Sequence, residues 1–564
     1  MIKWIKKREN QIFFSVAILA LVVAVCPLLG KYCLLGHDSE YHMLRIEALK
    51  QQIEMGRPFL RVNPTYFGGA GYASTMFYPD GLLFIPALLR IIGFSINASY
   101  HLFMIICVVL CYAVSYACGK HITKNRYIGM LFAVILTLSS YHLDDVLVRA
   151  AAGEYVAFIF IPIVVYGLYN LFFEDMDRPW ILGLGMGLVL ITHTLSFVLC
   201  ILMAVIMLLF NFDVFLKKPK LIIKLIITAA VTLIVTAFYW VPVLEQFIND
   251  TFYVSKPWIE PAQEAVKFSS IFSFAFPTLG IGLLILVMPR FLLFRNDEDK
   301  IMKFSDQCMA SAVVFAFLAT DIVPWDRIGK YFSIVQFPWR LYIISTVLFA
   351  FSAAVIVYRL AGALCIGVTD KPDEYDDEIQ VVTDDTLVNK YGVMLGLVLC
   401  VMTVSALYGM SLQNREYFDF SDDYYDYKPY TGSVIAGEWL PNRVTEAGDL
   451  TDMSEHAVDD NDDEVLFIRH KGNVIITTNG SEEYVDVPLI YYKGYSAKGE
   501  SGSGYAIDGN GKNGFVRVYT DGAADKITVS YTGTMAQKSS DFITVISVIG
   551  IAYIYYRKNK KDRK

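Results

Sequence analysis

Apolar runs long enough to cross a bilayer recur from one end of this chain to the other, and they constrain the fold more than any motif does. A membrane-spanning helix needs about 20 predominantly apolar residues. Stretches that reach or approach that length lie at 11–35, 98–118, 127–140, 154–173, 180–192, 194–212, 221–243, 270–294, 307–321, 340–367, 391–411 and 541–556, which gives twelve candidate crossings. Composition agrees. Of 564 residues, 55% are hydrophobic and only 18% charged, against about 25% charged in soluble domains. The mean hydropathy is +0.46. A large cytosolic enzyme is excluded. The expected fold class is a polytopic α-helical membrane protein of about twelve transmembrane helices.

The formal net charge of −7 leaves no electrostatic footprint for nucleic acid. No dinucleotide fingerprint, P-loop or paired-cysteine metal motif occurs. Cys26, Cys33, Cys107, Cys111, Cys118, Cys200, Cys308, Cys365 and Cys400 lie in or beside apolar runs, where cysteine behaves as a small hydrophobe.

Charge around the runs orients them. Lys3, Lys6, Lys7 and Arg8 precede the first run, and KNKKDRK closes the chain, so both termini are expected in the cytoplasm. No small-residue cleavage site follows the first run, which reads as an uncleaved anchor. The run 80–93 carries Pro86 and Arg90, and its length suits a re-entrant or interfacial helix better than a crossing, although a version in which it crosses and 180–212 is a single span keeps the same parity. The expected division is a transmembrane domain over 1–411, a β-rich extracytoplasmic domain over 412–540, and a final helix with a basic cytoplasmic tail over 541–564. The β-rich assignment rests on alternating segments, EVLFIR, NVIITT, EYVDVPLIYY, FVRVYT and KITVSYT, separated by turns such as GNGKNG. They predict a small antiparallel β-sandwich before the last helix. The acidic, Tyr-rich stretch 412–463 reads as a solvated linker or as a calcium- or glycan-binding strip.

The densest polar constellation is the long first outer loop, 36–79. Ser39 is placed to cap a helix running to about Met55, ended by Gly56 and Pro58. Helical spacing puts Asp38, His42 and Arg45 on one face and turns Met43, Ile46 and Leu49 toward a membrane surface. Three readings stay open: a general base beside cations that bind a phosphate, a metal site from His37, Asp38, Glu40 and His42, or a capped interfacial helix with solvated charges. The loop NPTYFGGAGYASTMFYPDG, 63–81, can lie against a ligand or pack as a re-entrant loop. Asp144, Asp145 and Arg149, with Glu154 opening the next run, read as a cation or sugar site or as solvated loop charges. His193 reads as a buried histidine bonded to a neighbouring hydroxyl, or as a functional intramembrane group. Trp339 and Arg340 at the start of a crossing form a belt anchor or a grip on a lipid phosphate.

HDSEYHMLRI after the first crossing resembles the first outer loop of GT-C membrane glycosyltransferases. NPTYFGGAGY, VRAAAGEYVAFIFIP, THTLS, QFPWR and VPLIYYKGY resemble segments of the YfhO-type bacterial membrane proteins, including those labelled 6-pyruvoyl-tetrahydropterin synthase-related, although nothing here suggests pterin chemistry. The resemblance spans about 36 to 495. It implies a GT-C-like fold in the bacterial plasma membrane. It also implies an enzyme that moves a sugar from a polyprenyl-phosphate donor to an envelope polymer or lipid acceptor at the outer face, among membrane lipids. It makes Asp38 the catalytic base, with Glu40 as the fallback. Position adds Arg149 and Arg340 as phosphate partners, with His42, Arg45, Asp144, Asp145, Glu154 and Trp339 as further substrate-binding candidates. No cofactor is required, and a divalent cation is compatible with these residues. The alternative function is a transporter or flippase of a lipid-linked envelope precursor. That reading expects an internal repeat and mid-membrane polar residues on both halves. A scaffold displaying the exterior domain ranks last.

Overall fold

The computed structural model describes residues 2–255, 259–294, 299–332, 335–363, 379–413, 415–420, 437–520 and 522–562. Cys365, part of the acidic stretch 369–389 and part of the Tyr-rich stretch 412–463 lie outside the described residues. The protein is a multi-pass helical membrane protein with a β-rich C-terminal region. Among the described residues, six helices are long and apolar enough to cross a membrane: Lys7–Leu28, Ile96–Thr123, Ala152–Phe173, Lys300–Leu318, Pro338–Ala363 and Lys390–Leu412. Counting two bent helix pairs as single spans raises the number to eight.

Twelve crossings are therefore not found, and local chemistry explains the shortfall. The run 270–294 is not one helix. Pro277 cannot donate to a helical ladder, Gly280 sits at φ +83°, and what remains is a short helix Ile281–Val287 followed by a 3-10 turn Met288–Leu292. The run 180–212 divides into Pro179–Leu190 and Thr194–Phe210, with His193 capping the second. The run 127–140 lies in a pair, Arg126–Thr137 and Ser140–Arg149, bent by 49°. The last run falls within the helix Met535–Asp562, which is not among the apolar candidates. Gly81–Ile91 is a short apolar helix.

The chain forms two compact units that interleave along the sequence. One comprises Met1–Ser39, His101–Thr232 and Trp258–Phe418; the other comprises Glu40–Tyr100, Leu233–Pro257 and Asp419–Lys564. This grouping by contacts is a different division from the sequence boundary at 412, which separates apolar from polar stretches.

In the first unit, close helix approach is achieved by small residues, as expected where lipid offers no hydrophobic drive between helices. A Cβ on Gly167 would come within 2.5 Å of Leu182 Cα, and one on Gly185 within 2.8 Å of the Val164 nitrogen. These contacts join Ala152–Phe173 to Pro179–Leu190. Hydroxyls tie Lys300–Leu318 to Tyr342–Ala363: Ser345 Oγ donates to the Ala312 carbonyl at 3.0 Å and Ser352 Oγ to that of Ser305 at 2.9 Å. The strand Cys33–Leu35 pairs antiparallel with Glu416–Phe418. The Leu34 amide donates to His101 Nε2 at 3.2 Å. These two anchors fix the backbone just before Asp38.

In the second unit, the helix Ser39–Glu54 buries Met43, Ile46 and Leu49 almost completely. That face packs within the protein, which corrects the expectation that it meets a membrane surface. The apolar spacing is the same for either partner, so the sequence could not distinguish them. The β-sandwich has a four-stranded sheet in the order Val458–Asp459, Tyr484–Ile490, Phe515–Tyr519, Ile507–Asp508. Its five-stranded sheet runs Phe467–His470, Asn473–Thr477, Lys526–Tyr531, Tyr495–Lys498, Gly504–Tyr505. Val474, Ile476, Val485, Val487, Val516, Val518, Ile527 and Val529 alternate inward and form one core, the period-2 pattern expected of half-buried strands.

Candidate active site

The loop after strand Cys33–Leu35 carries Gly36, His37 and Asp38. It is stitched to the segment 148–149: the His37 amide donates to the Val148 carbonyl at 3.0 Å and the Asp38 amide to that of Arg149 at 2.8 Å. Gly36 is required for this approach, since a Cβ there would meet the Ala150 Cβ at 2.6 Å. Ala150 itself adopts a left-handed conformation at φ 54°, which turns the chain sharply after the π-helical turn Asp145–Arg149. Ser39 does not act as a forward cap. Its Oγ accepts from the Gly36 amide at 2.8 Å and donates to the Leu34 carbonyl at 3.2 Å, folding the loop back so that Asp38 precedes the helix.

Asp38 and His37 open onto a cavity of about 550 Å³ also lined by Arg149, Lys267, Phe276, Trp339 and Arg340. All of these residues belong to the first compact unit. Behind this wall lies a chain of buried charges. Arg149 Nη1 donates to Asp145 Oδ1 at 2.7 Å and to Glu154 Oε2. The other oxygen of Glu154 stands 2.9 Å from Arg340 Nε. Arg340 Nη1 donates to Gln336 Oε1 at 2.7 Å. The Arg149 guanidinium lies 4.4 Å from the centre of the Trp339 ring, and that of Arg340 lies 5.8 Å away. Phe276 and Phe337 pack edge-on and tilted against the same indole, at 5.3 and 4.9 Å.

Burial pushes the Asp38 carboxyl above its ordinary range, and the negative charge of Glu154 adds to that; Arg149, Arg340 and His37 pull the other way. His37 is lowered, chiefly by burial and also by Arg149, so it is neutral near pH 7. A half-buried carboxylate with a raised pKa is equipped to accept a proton, and the cations beside it in the cleft to face a developing anion.

The remaining candidates separate clearly. Glu40, His42 and Arg45 do not line the cavity. Arg45 is buried, with Nη2 2.6 Å from Asp80 Oδ1, bonds to the Tyr78 and Pro79 carbonyls, and its guanidinium 4.3 Å from the Tyr78 ring. His42 Nδ1 lies 3.4 Å from Arg45 Nη1, and Glu40 sits in the first turn of the helix Ser39–Glu54. Asp144, Asp145, Arg149 and Glu154 are buried, not solvated in an open loop, because a short helix and a π turn fold them inward, with Asp145 and Glu154 on the Arg149 guanidinium. Among the described residues, no three His, Cys, Asp or Glu side chains converge as metal ligands, so His37, Asp38, Glu40 and His42 do not form that site. The half-buried His193 caps its helix and bonds Ser196 Oγ at 2.8 Å. The loop 63–81 packs against its own unit. Gly68 at φ +64° would place a Cβ 2.4 Å from Ser454 Oγ, and Phe77 stacks on Trp439 at 4.9 Å. Sequence reasoning missed His37 as a cavity-lining residue, and also Lys267 and Phe276. Lys267 follows an apolar valine in an unpatterned loop, and only its approach to the cavity distinguishes it.

No family model matches this chain. An uncharacterized protein of Lactococcus lactis subsp. cremoris (strain MG1363) is 21% identical over 344 residues, covering 57% of this chain and 55% of that protein. The chain therefore matches just over half the length of this curated relative. Among solved structures, the apo oligosaccharyltransferase of Archaeoglobus fulgidus is 12% identical over 71% of this chain and 56% of its own, with a TM-score of 0.36. The arabinofuranosyltransferase AftD from Mycobacteria is 14% identical over 71% and 27%, with a TM-score of 0.38. ArnT of Cupriavidus metallidurans, bound to undecaprenyl phosphate, is 13% identical over 78% and 80%, with a TM-score of 0.34.

Proposed function

We propose that this protein is a membrane glycosyltransferase of the GT-C type, transferring a sugar from a polyprenyl-phosphate donor to a hydroxyl acceptor of the cell envelope at the outer membrane face. The observation that carries the reading is the cavity in which Asp38 shares a wall with Arg149, Trp339 and Arg340. In this reaction Asp38 takes the proton of the acceptor hydroxyl as its oxygen attacks the anomeric carbon. The bond from that carbon to the phosphate oxygen breaks, and the lipid phosphate leaves as an anion. Guanidiniums recognise phosphate through paired N–H groups, and in a partly desolvated cleft they stabilise a leaving anion strongly. The Trp339 ring and Phe276 offer apolar faces of the kind sugars stack on. Asp38 is the base and Arg149 and Arg340 are the phosphate partners. The YfhO-type resemblance of the sequence belongs to this same reading.

The test uses the purified full chain in liposomes with a panel of undecaprenyl-phosphate sugars and extracted envelope lipid. Sugar-dependent release of undecaprenyl phosphate is the expected result. Failure to bind undecaprenyl phosphate and to consume any donor, with transbilayer movement of the lipid instead, overturns the proposal in favour of a flippase.

A further inference from the structure

Glu154 is a deeply buried charge near the cavity, yet it is not among the residues that line it. Its two oxygens serve different arginines. Oε2 accepts from Arg149 Nη1, and Oε1 stands 2.9 Å from Arg340 Nε. These arginines come from separate elements: Arg149 ends the π turn Asp145–Arg149, and Arg340 lies in the turn Pro338–Leu341 that opens another helix. Both guanidiniums also pack toward Trp339, at 4.4 and 5.8 Å from the ring centre. Two like charges so close repel, and their long side chains carry much rotamer entropy. A single carboxylate between them offsets the repulsion, hydrogen-bonded to Arg149 and held beside Arg340 as an ion pair. The contact takes Nη1 of Arg149 and faces Nε of Arg340, and Gln336 takes Nη1 of Arg340, which leaves Nη2 of each guanidinium for a ligand in the cavity.

We propose that Glu154 is a positioning residue that clamps Arg149 and Arg340 into one anion-binding wall, acting through them and not by touching the substrate. The inference rests on the phosphate reading of this cavity given above. It explains why a carboxylate stands beside a site meant for an anion. An acidic group in direct contact with phosphate would repel it, whereas one behind the arginines holds them in place. Asp145 supports Arg149 alone, with Oδ1 2.7 Å from Nη1, and does not substitute for the two-headed contact.

Undecaprenyl phosphate is titrated into the full chain in nanodiscs for wild type, Glu154→Gln and Glu154→Asp. Glu154→Asp keeps the charge but is one methylene shorter and reaches one arginine at a time. Both variants are expected to weaken binding on the order of 10- to 100-fold, the usual scale for outer-shell partners. The pH dependence of donor consumption supplies a readout that lost folding would not move. The groups facing Asp38 are the charged Arg149, Arg340 and Glu154 and the titratable His37. Removing the Glu154 charge should move the acid limb set by Asp38 to lower pH. Folded variants that bind as tightly as wild type, or more tightly, overturn the clamp while leaving the phosphate reading intact. If Glu154→Gln does not fold, Glu154→Asp decides alone: wild-type affinity overturns the clamp. A wild-type chain that binds no undecaprenyl phosphate overturns the phosphate reading itself, and the clamp with it.

Discussion

The main-chain amide of Asp38 donates to the carbonyl of Arg149 at 2.8 Å, so a base candidate and a cation more than a hundred residues apart are positioned by one backbone bond. Neither side chain needs to find the other. The loop after Cys33–Leu35 and the turn ending at Ala150 are locked together by backbone bonds, and that lock sets the placement of both side chains.

The lock depends on Gly36. Gly36→Ala would place a Cβ 2.6 Å from Ala150 Cβ and 3.0 Å from the Val148 carbonyl. Overpacking of this kind costs about 1–3 kcal/mol. The expected result is a lower midpoint in thermal unfolding of the detergent-solubilised protein, together with a loss of donor consumption larger than the stability loss alone would give.

Arg149 is almost fully buried and pairs with two buried carboxylates, Asp145 and Glu154, the second of which it shares with Arg340. Removing one partner of a buried ion pair costs roughly 3–5 kcal/mol, because the other charge is stranded. Arg149→Leu should therefore be poorly folded or absent from the membrane fraction, measured as monodisperse protein by size exclusion. Wild-type yield and stability would contradict the ion network.

Transfer should depend on pH through Asp38. Its carboxyl lies above the ordinary 3.8, and the working form of a base is the deprotonated one, so the rate rises as pH increases through that raised value. The acid limb is expected above the usual carboxylate range, measured as kcat/KM against pH. Linkage has the opposite sign for stability. A carboxyl whose folded pKa exceeds its unfolded one ionises more readily in the unfolded chain, so its ionisation favours unfolding as pH rises. Asp38→Asn should accordingly melt at or above the wild-type temperature near pH 7.

Much of this was legible in the sequence, for reasons that particular residues make clear. The sandwich could be read because alternation such as that of Lys526–Tyr531 survives any packing partner. Arg149, Glu154, Trp339 and Arg340 stood out at the edges of apolar runs, and the structure gathers Arg149, Trp339 and Arg340 at one wall with Glu154 behind it. The helical face proposed for Asp38, His42 and Arg45 did not form, because Ser39 bonds backward and leaves Asp38 outside the helix. Arg45 instead meets Asp80, a pairing across 35 residues that no local period encodes. The run 270–294 is not found as one long helix, because Pro277 and Gly280 interrupt an otherwise apolar stretch. Hydropathy averages over such breaks, whereas the backbone cannot.

The central claim is that Asp38 is the base. Asp38→Asn in the full chain, in nanodiscs with an undecaprenyl-phosphate sugar that wild type consumes, tests it most directly. The account predicts that transfer falls on the order of 10²- to 10⁴-fold while undecaprenyl phosphate still binds, since the arginine wall is untouched. Transfer at the wild-type rate by a folded Asp38→Asn protein would contradict it.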